Sequence, residues 1–375
     1  VWNNLDAGAY SCFTDGNKFR WYHANGTDAD AAESNGVLMD TTGWYHIVLS
    51  KPSGSAGTLY INGVAQTKQT SQTAEADCFS NAQFIGRRYN GTSKFDGYLA
   101  EMHMIDGQTK VASDFGETDP VTGQWIPKKY TGTHGSLGWY LPFSDNSGAT
   151  SSTMGDDKSA NSNDFTPNTL ATSDSVVDTP TNNYCNWNSL KWASGKPTFT
   201  QGNLKYTHSS SMQWQGTLGT LAVSSGKWYY ECTVVTRPTA TNENWLVGFH
   251  DVSQDNNLYY AEAGNCSWGI DTNNAEVFKD TDRSTSYGSA VSNGDVLMFA
   301  LDVNNEKFWV GVNGTWTSSG NPATGANPSL SSIGAGKTWI PKVSSFAYNT
   351  PHGVFEANFG QKAYAHTPPT GFNSI

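Results

Sequence analysis

The sequence predicts an all-β protein built as two antiparallel β-sandwiches, and three observations lead there. Short runs of alternating or clustered aromatic and β-branched residues fill both ends of the chain, separated by Gly, Asn and Pro turn signals. Aromatic residues make up 13% of the chain and charged residues 15%, against about 25% charged in ordinary globular proteins. That balance leaves little for the charged faces of solvated helices. A length of 375 residues accommodates two domains of ordinary size, each with its own core.

In the first third, strands are predicted at Lys18 to Ala24, Gly43 to Ser50, Gly57 to Gln66, Ala82 to Tyr89 and Lys94 to Asp106. Asn25-Gly26, Asn35-Gly36, Asn62-Gly63 and Asn90-Gly91 supply hairpin turns between or near them. From about Glu117 to Thr198 the chain turns polar and is punctuated by Pro, which predicts a connector over 118–198. Within it GWYLPFSD, 138–145, reads as a strand that can add to the first sandwich. The second set of strands begins at Gly202 and includes a hairpin across Asp295 to Val312, turning at Asn304-Asn305. WIPK occurs at Trp125 and again at Trp339, too short a match to mark a duplication.

A formal net charge of −11, with no basic cluster longer than the pairs Arg87-Arg88 and Lys128-Lys129, argues against a nucleic-acid partner. No run approaches the roughly 18 apolar residues of a membrane span, so no membrane insertion is expected. The start at Val1 has neither an initiator Met nor a signal-peptide pattern, which fits a piece of a longer chain. Cys12, Cys78, Cys185, Cys232 and Cys266 lack zinc spacing and read as buried thiols, with a Cys12 to Cys78 bridge as the alternative in an oxidising compartment. The sequons at Asn25, Asn90, Asn265 and Asn313 are read first as turn chemistry.

GWYHIVLS, LYINGV and FIGRRYNGTSKFDGYLAEMHMIDGQ follow one another in the order and spacing of a laminin-G-like domain of the concanavalin A-like jelly-roll class. Residues 1–117 therefore resemble that family, whose opening strands are weakly marked in this sequence; a start before Val1 stays open. Residues 199–375 resemble a SPRY domain through GKWYYEC, LVGFHD, SWGID, the hairpin NGDVLMFALDVNNEKFWVGVNG, and ANFGQKAY followed by PPTGF. The pairing of the two is similar to structural proteins of marine bacteriophages. This implies a virion-surface or tail-fibre role, contact with other virion subunits and homo-oligomers.

Glu101, His103 and Asp106 stand at i, i+2 and i+5 in FDGYLAEMHMIDGQ, the spacing of a jelly-roll glucanase site. Glycoside hydrolysis by retention needs two carboxylates ~5 to 5.5 Å apart. Here the middle position is His103, and Glu101 and His103 would lie roughly 6.7 Å apart on one strand face, with Asp106 on the other. Glu101 and His46 are more simply read as scaffold, since the laminin-G-like resemblance puts residues of those types at the same places. Hydrolysis through Glu101 is the third reading, after binding and a purely structural role.

Ligand contacts are expected on loops and exposed rings. Tyr259, Tyr260 and Trp316 are the candidates in the second domain, and Trp21, Arg87 and Tyr89 in the first. Calcium is the one cofactor considered, with Asp28, Asp30, Asp156 and Asp157 as candidate ligands. The expected function is non-enzymatic display on a virion, binding a host-surface glycan or protein.

Overall fold

The computed structural model describes residues 2–4, 11–15, 17–24, 29–40, 43–70, 82–88, 90–91, 94–209, 212–237, 244–254, 265–271, 274–279, 282–286, 291–347 and 352–375. The chain divides into two compact units, Val1–Asn183 and Tyr184–Ile375. Residues 118–198, expected as a connector, are thus shared between them: 118–183 belong to the first unit, and 184–198 open the second. Both units are all-β. Among the described residues the helical turns are the short 3-10 turns Ala112–Asp114, Thr172–Asp174 and Thr317–Ser319, and no helix is long and apolar enough to cross a membrane.

In the first unit a six-stranded sheet runs in the order Lys68–Thr70, Ala29–Glu33, Lys18–Ala24, Ser11–Asp15, Trp2–Asn4, Gln83–Ile85. The strand period of two decides the faces of Lys18–Ala24. Phe19 and Trp21 point into the core, while Lys18 and Arg20 reach Glu33 on the facing strand at 2.9 and 3.3 Å. A second sheet joins Ile47–Ser50, Thr58–Ile61 and Val64–Ala65. Its tight turn at Asn62-Gly63 has φ of 47° and 80°, the positive values that an Asn-Gly hairpin turn supplies. Leu59 and Ile61 from this sheet meet Phe19, Trp21, Trp139 and Leu141 in one core.

Trp139 and Leu141 come from the segment 138–145. Only Trp139–Leu141 forms a strand, and it pairs antiparallel with Met102–Met104 in the register Met102↔Leu141, His103↔Tyr140, Met104↔Trp139. The predicted strand Lys94 to Asp106 shrinks to those three residues. Its physical cause is backbone conformation: Gly97 and Glu101 have φ of 155° and 51°, and Glu101's value lies in the left-handed region that a strand excludes.

The second unit is a sandwich of a seven-stranded and a nine-stranded sheet. The seven strands run Trp187–Ser194, Gln213–Gly219, Trp339–Ala347, Asn244–Asp251, Asn265–Asp271, Asn274–Lys279, Asp282–Ser286. The other sheet is centred on Lys227–Thr236, paired with Val354–Asn358 on one side and Val296–Asp302 on the other. Trp245, Val247, Phe249 and Val343 from one sheet pack on Tyr230, Phe299, Phe308 and Phe355 from the other. Burying a large apolar side chain is worth about 1.5–3 kcal/mol, so this core carries the unit. The predicted hairpin joins Val296–Asp302 to Lys307–Val312 through residues 303–306, with Glu306, not an Asn, at positive φ. Asn313 is likewise a turn residue at φ 49°, its amide held by Val296 and Asp295.

Glu231 fastens the C-terminal segment to the sandwich. It is 3% exposed and accepts hydrogen bonds from the Tyr229 hydroxyl at 2.7 Å and from the backbone N–H groups of Ala365 and His366 at 2.8 and 2.9 Å. Hydrogen bonds to a charged group contribute about 1.5–3 kcal/mol each to stability, net of the bonds to water they replace. Glu231→Ala is expected to lower the stability of the second unit by about 3 kcal/mol in denaturant unfolding. An unchanged midpoint would contradict this anchoring role.

Candidate functional site

The site is a cleft of about 2220 Å3 lined wholly by residues of the first unit. Its centre is a stack of rings built on the three-residue pairing above. Because His103 stands opposite Tyr140 in the register, their rings lie face to face, 4.2 Å apart and 1° from parallel. His134 lies beside His103, its ring within 11° of parallel, with His103 Nδ1 and His134 Nε2 3.0 Å apart. One of these nitrogens donates and the other accepts, so the pair holds a single proton between them. Phe115 and Tyr130 close the group, at 5.4 and 5.8 Å from His103.

Local backbone explains how His134 gets there. The His134 carbonyl accepts from the Asp106 N–H at 2.9 Å, and a Cβ on Gly138 would collide with that carbonyl and with the carbonyl of Met104. Only glycine at 138 lets the His134 turn close on the strand.

A second ring, Trp125, borders the cleft. Its indole N–H donates to His46 Nδ1 at 2.9 Å, which fixes the His46 proton on Nε2. Asn62 holds the His46 backbone in place, accepting its N–H at 2.8 Å and donating to its carbonyl at 2.9 Å. The ring lies against Gly116, where an added Cβ would fall 2.5 Å from the indole nitrogen.

Burial pushes the His103 pKa down to about 4, with the neighbouring His134 and His46 adding to the shift. Burial also lowers His46, and it lowers His134 against the pull of Asp157. The three imidazoles are therefore neutral at pH 7 and able to donate or accept. Tyr140 keeps its proton: burial and the adjacent Glu101 carboxylate both raise its pKa, and its hydroxyl donates to Glu101 Oε2 at 2.6 Å.

Asp157 is a buried carboxylate with a structural task. Burial disfavours its charge, but the N–H groups of Tyr140, Ser159 and Asn163 and the Ser159 hydroxyl outweigh that and hold its pKa below the ordinary carboxylate value. It ties the loop 157–163 to the strand that carries Tyr140.

The residues singled out from sequence fall in several places. Trp21 is 4% exposed, packs among Phe19, Leu59 and Ile61, and lines the cleft from the core side. Arg87 is half-buried, its guanidinium 5.0 Å over the Phe84 ring. Trp316 is half-buried too, packed edge-on to Tyr229 at 6.4 Å. Asp156 pairs with Lys158, and Asp157 spends its oxygens on backbone as described. Asp30 lies in the strand Ala29–Glu33, opposite His23 in the backbone register. Tyr89, Tyr259, Tyr260 and Asp28 lie outside the described residues, as does Cys78. Cys185 and Cys232 are buried free thiols.

Glu101 lies outside the strand, at φ 51°, with one oxygen engaged by Tyr140. Asp106 is at the far end of the pairing, near the Ser136 hydroxyl and the Leu137 N–H at 3.4 and 3.3 Å. Among the described residues no group of three His, Cys, Asp or Glu side chains has metal-holding geometry. Sequence reasoning missed His134, Tyr130, Tyr140 and Trp125 because all four sit in or after the polar segment. The signal was present in WIPK and GWYL, aromatic runs in otherwise polar surroundings.

Residues 3–112 match the Laminin_G_3 family, of the Concanavalin A-like lectin/glucanases superfamily. No curated protein matches the chain. Among solved structures, the chain is similar to the SPRY domain of human HERC1, with 17% sequence identity, a TM-score of 0.36, and coverage of 46% of this chain and 96% of that one.

Two outcomes follow from the site. Gly116→Ala is expected to push Trp125 off His46 and destabilise the first unit by about 1–3 kcal/mol, read from its unfolding transition and from tryptophan fluorescence. The second concerns pH. With His103 at about 4 in the folded site and about 6.5 unfolded, the unfolded chain takes up a proton that the folded site refuses. Its contribution is neutral above pH 6.5, destabilises progressively as pH falls, and levels off below about 4. His103→Gln is expected to flatten that part of the melting-temperature profile; an identical slope in the variant would contradict the assignment.

Proposed function

We propose that this chain is a non-enzymatic binding protein displayed on a bacteriophage virion, as part of a tail fibre or capsid fibre, and that the first unit's cleft engages a host-surface glycan. The single observation that carries the reading is the half-buried ring platform of His103, Tyr140 and Trp125 beside neutral imidazoles and a tyrosine hydroxyl. Flat rings accept the apolar faces of sugars, and neighbouring donors and acceptors fix the hydroxyls. The match of residues 3–112 to a lectin and glucanase superfamily agrees with a carbohydrate ligand, although fold alone decides neither binding nor hydrolysis.

Catalysis has less support. Glu101 is bound to Tyr140, and the position between Glu101 and Asp106 carries a histidine. On a virion the chain would be repeated, and many weak contacts would sum to avidity. Symmetric homo-oligomers and contacts with other virion subunits belong to the same reading.

A purely structural role is the second reading, and one observation favours it. The strand Trp187–Ser194 is an edge strand of its sheet and exposes Leu190 at 52% and Trp192 at 44%, the kind of apolar edge that subunit contacts cover.

A glycan array probed with the multivalent 375-residue chain separates the two. Binding to a defined set of glycans, lost at least tenfold in Tyr140→Ala with the first unit still folded, is the expected result. No binding at high valency would favour the structural reading. Release of reducing ends that Glu101→Gln abolishes would instead establish hydrolysis.

A further inference from the structure

The charges of the first unit are unevenly placed. Residues 1–183 hold 11 Lys and Arg against 20 Asp and Glu, yet the cleft is lined by five lysines and three carboxylates. Its lysines are Lys51, Lys94, Lys110, Lys128 and Lys129; its acids are Asp40, Asp96 and Glu101. An acidic unit therefore turns a cationic surface toward this cleft.

Away from the cleft, Lys18 and Arg20 pair with Glu33 and Lys158 pairs with Asp156. Lys94, Lys110, Lys128 and Lys129 form no ion pair with a carboxylate among the described residues. Lys128 donates to the Ser113 carbonyl at 3.0 Å, and the Lys110 ammonium lies 5.5 Å over the Tyr130 ring, itself part of the His103 group. Positive charge thus stands next to the ring platform.

Resting on the glycan-binding reading above, we infer that the cleft's ligand is an acidic polysaccharide, its rings seated on Trp125 and Tyr140 and its anionic groups met by Lys94, Lys110, Lys128 and Lys129. Ammonium groups with no carboxylate partner among the described residues draw an anion to the cleft through the field of an otherwise negative protein. The same net negative charge would repel acidic chains from the rest of the unit, which turns charge placement into selectivity. Uronate carboxylates and sulfate esters share the required chemistry.

The test uses the full 375-residue chain and immobilised polysaccharides at 20 and 200 mM salt: polygalacturonate, dextran sulfate, neutral dextran and, as a non-sugar polyanion, polyglutamate. Binding to one or both acidic polysaccharides that weakens at least tenfold at the higher salt, with dextran unbound, is expected; which polymer binds tells carboxylate from sulfate. Lys110→Gln/Lys128→Gln/Lys129→Gln should lose at least tenfold in affinity, and Trp125→Phe should lose affinity without changing the salt dependence. Polyglutamate bound as tightly as the polysaccharides would overturn the inference in favour of an acidic protein partner. Dextran bound equally well, sensitive to Tyr140→Ala but not to the lysine variant, would overturn the charge claim while leaving a glycan cleft. No binding to any of the polysaccharides, together with a blank glycan array, would overturn both.

Discussion

The antiparallel pairing of Met102–Met104 with Trp139–Leu141 is the constraint on which the cleft of the first unit rests. It spans three residues on each side, too little to hold by its ladder alone. Side chains on both faces make up the difference. On one face Trp139 and Leu141 enter the core with Leu59 and Trp21; on the other His103 stacks on Tyr140 and meets His134. Asp157 then fixes the Tyr140 strand from behind through three backbone N–H groups. Apolar burial holds the pairing, and the pairing positions polar groups that burial alone would not place.

That arrangement explains the electrostatics as well. A histidine between rings and a second histidine loses more by being charged than it gains, so the site stays neutral at ordinary pH. Tyr140 remains a donor for the same reason, with Glu101 as its acceptor. Of the residues spaced like a catalytic triplet in the sequence, Glu101 accepts from Tyr140, His103 stacks on Tyr140, and Asp106 lies beside Ser136 and Leu137. Lysines bring positive charge to the edge of the cleft while its floor stays uncharged.

The fold was legible where its information is local. Composition marked Lys18–Ala24 as a strand, Asn62-Gly63 as a turn, and the run from Val296 to Val312 as a hairpin. It was not legible where the cause lies far along the chain. The run Lys94 to Asp106 has strand composition, but positive φ at Gly97 and Glu101 breaks it, and nothing in single-residue propensity marks Glu101 for that conformation. Trp21 alternates in a strand as an exposed aromatic would, and only tertiary packing decides that it is core. The candidate site was legible in part: His46, Glu101 and His103 stand in it, whereas His134, Tyr130 and Tyr140 reach it from a polar stretch about 30 residues on. Polar composition marks loops, and an ordered loop on a jelly roll reads the same as a linker until its backbone partners are known.

Hydrogen exchange on the full chain, with and without saturating oligogalacturonate, reports directly on whether the cleft of the first unit binds the acidic sugar. Slowed exchange at residues 98–104 and 125–140, with the strands of the second unit unchanged, is expected. Protection confined to residues 184–375, with the cleft exchanging as in the free protein, would contradict it.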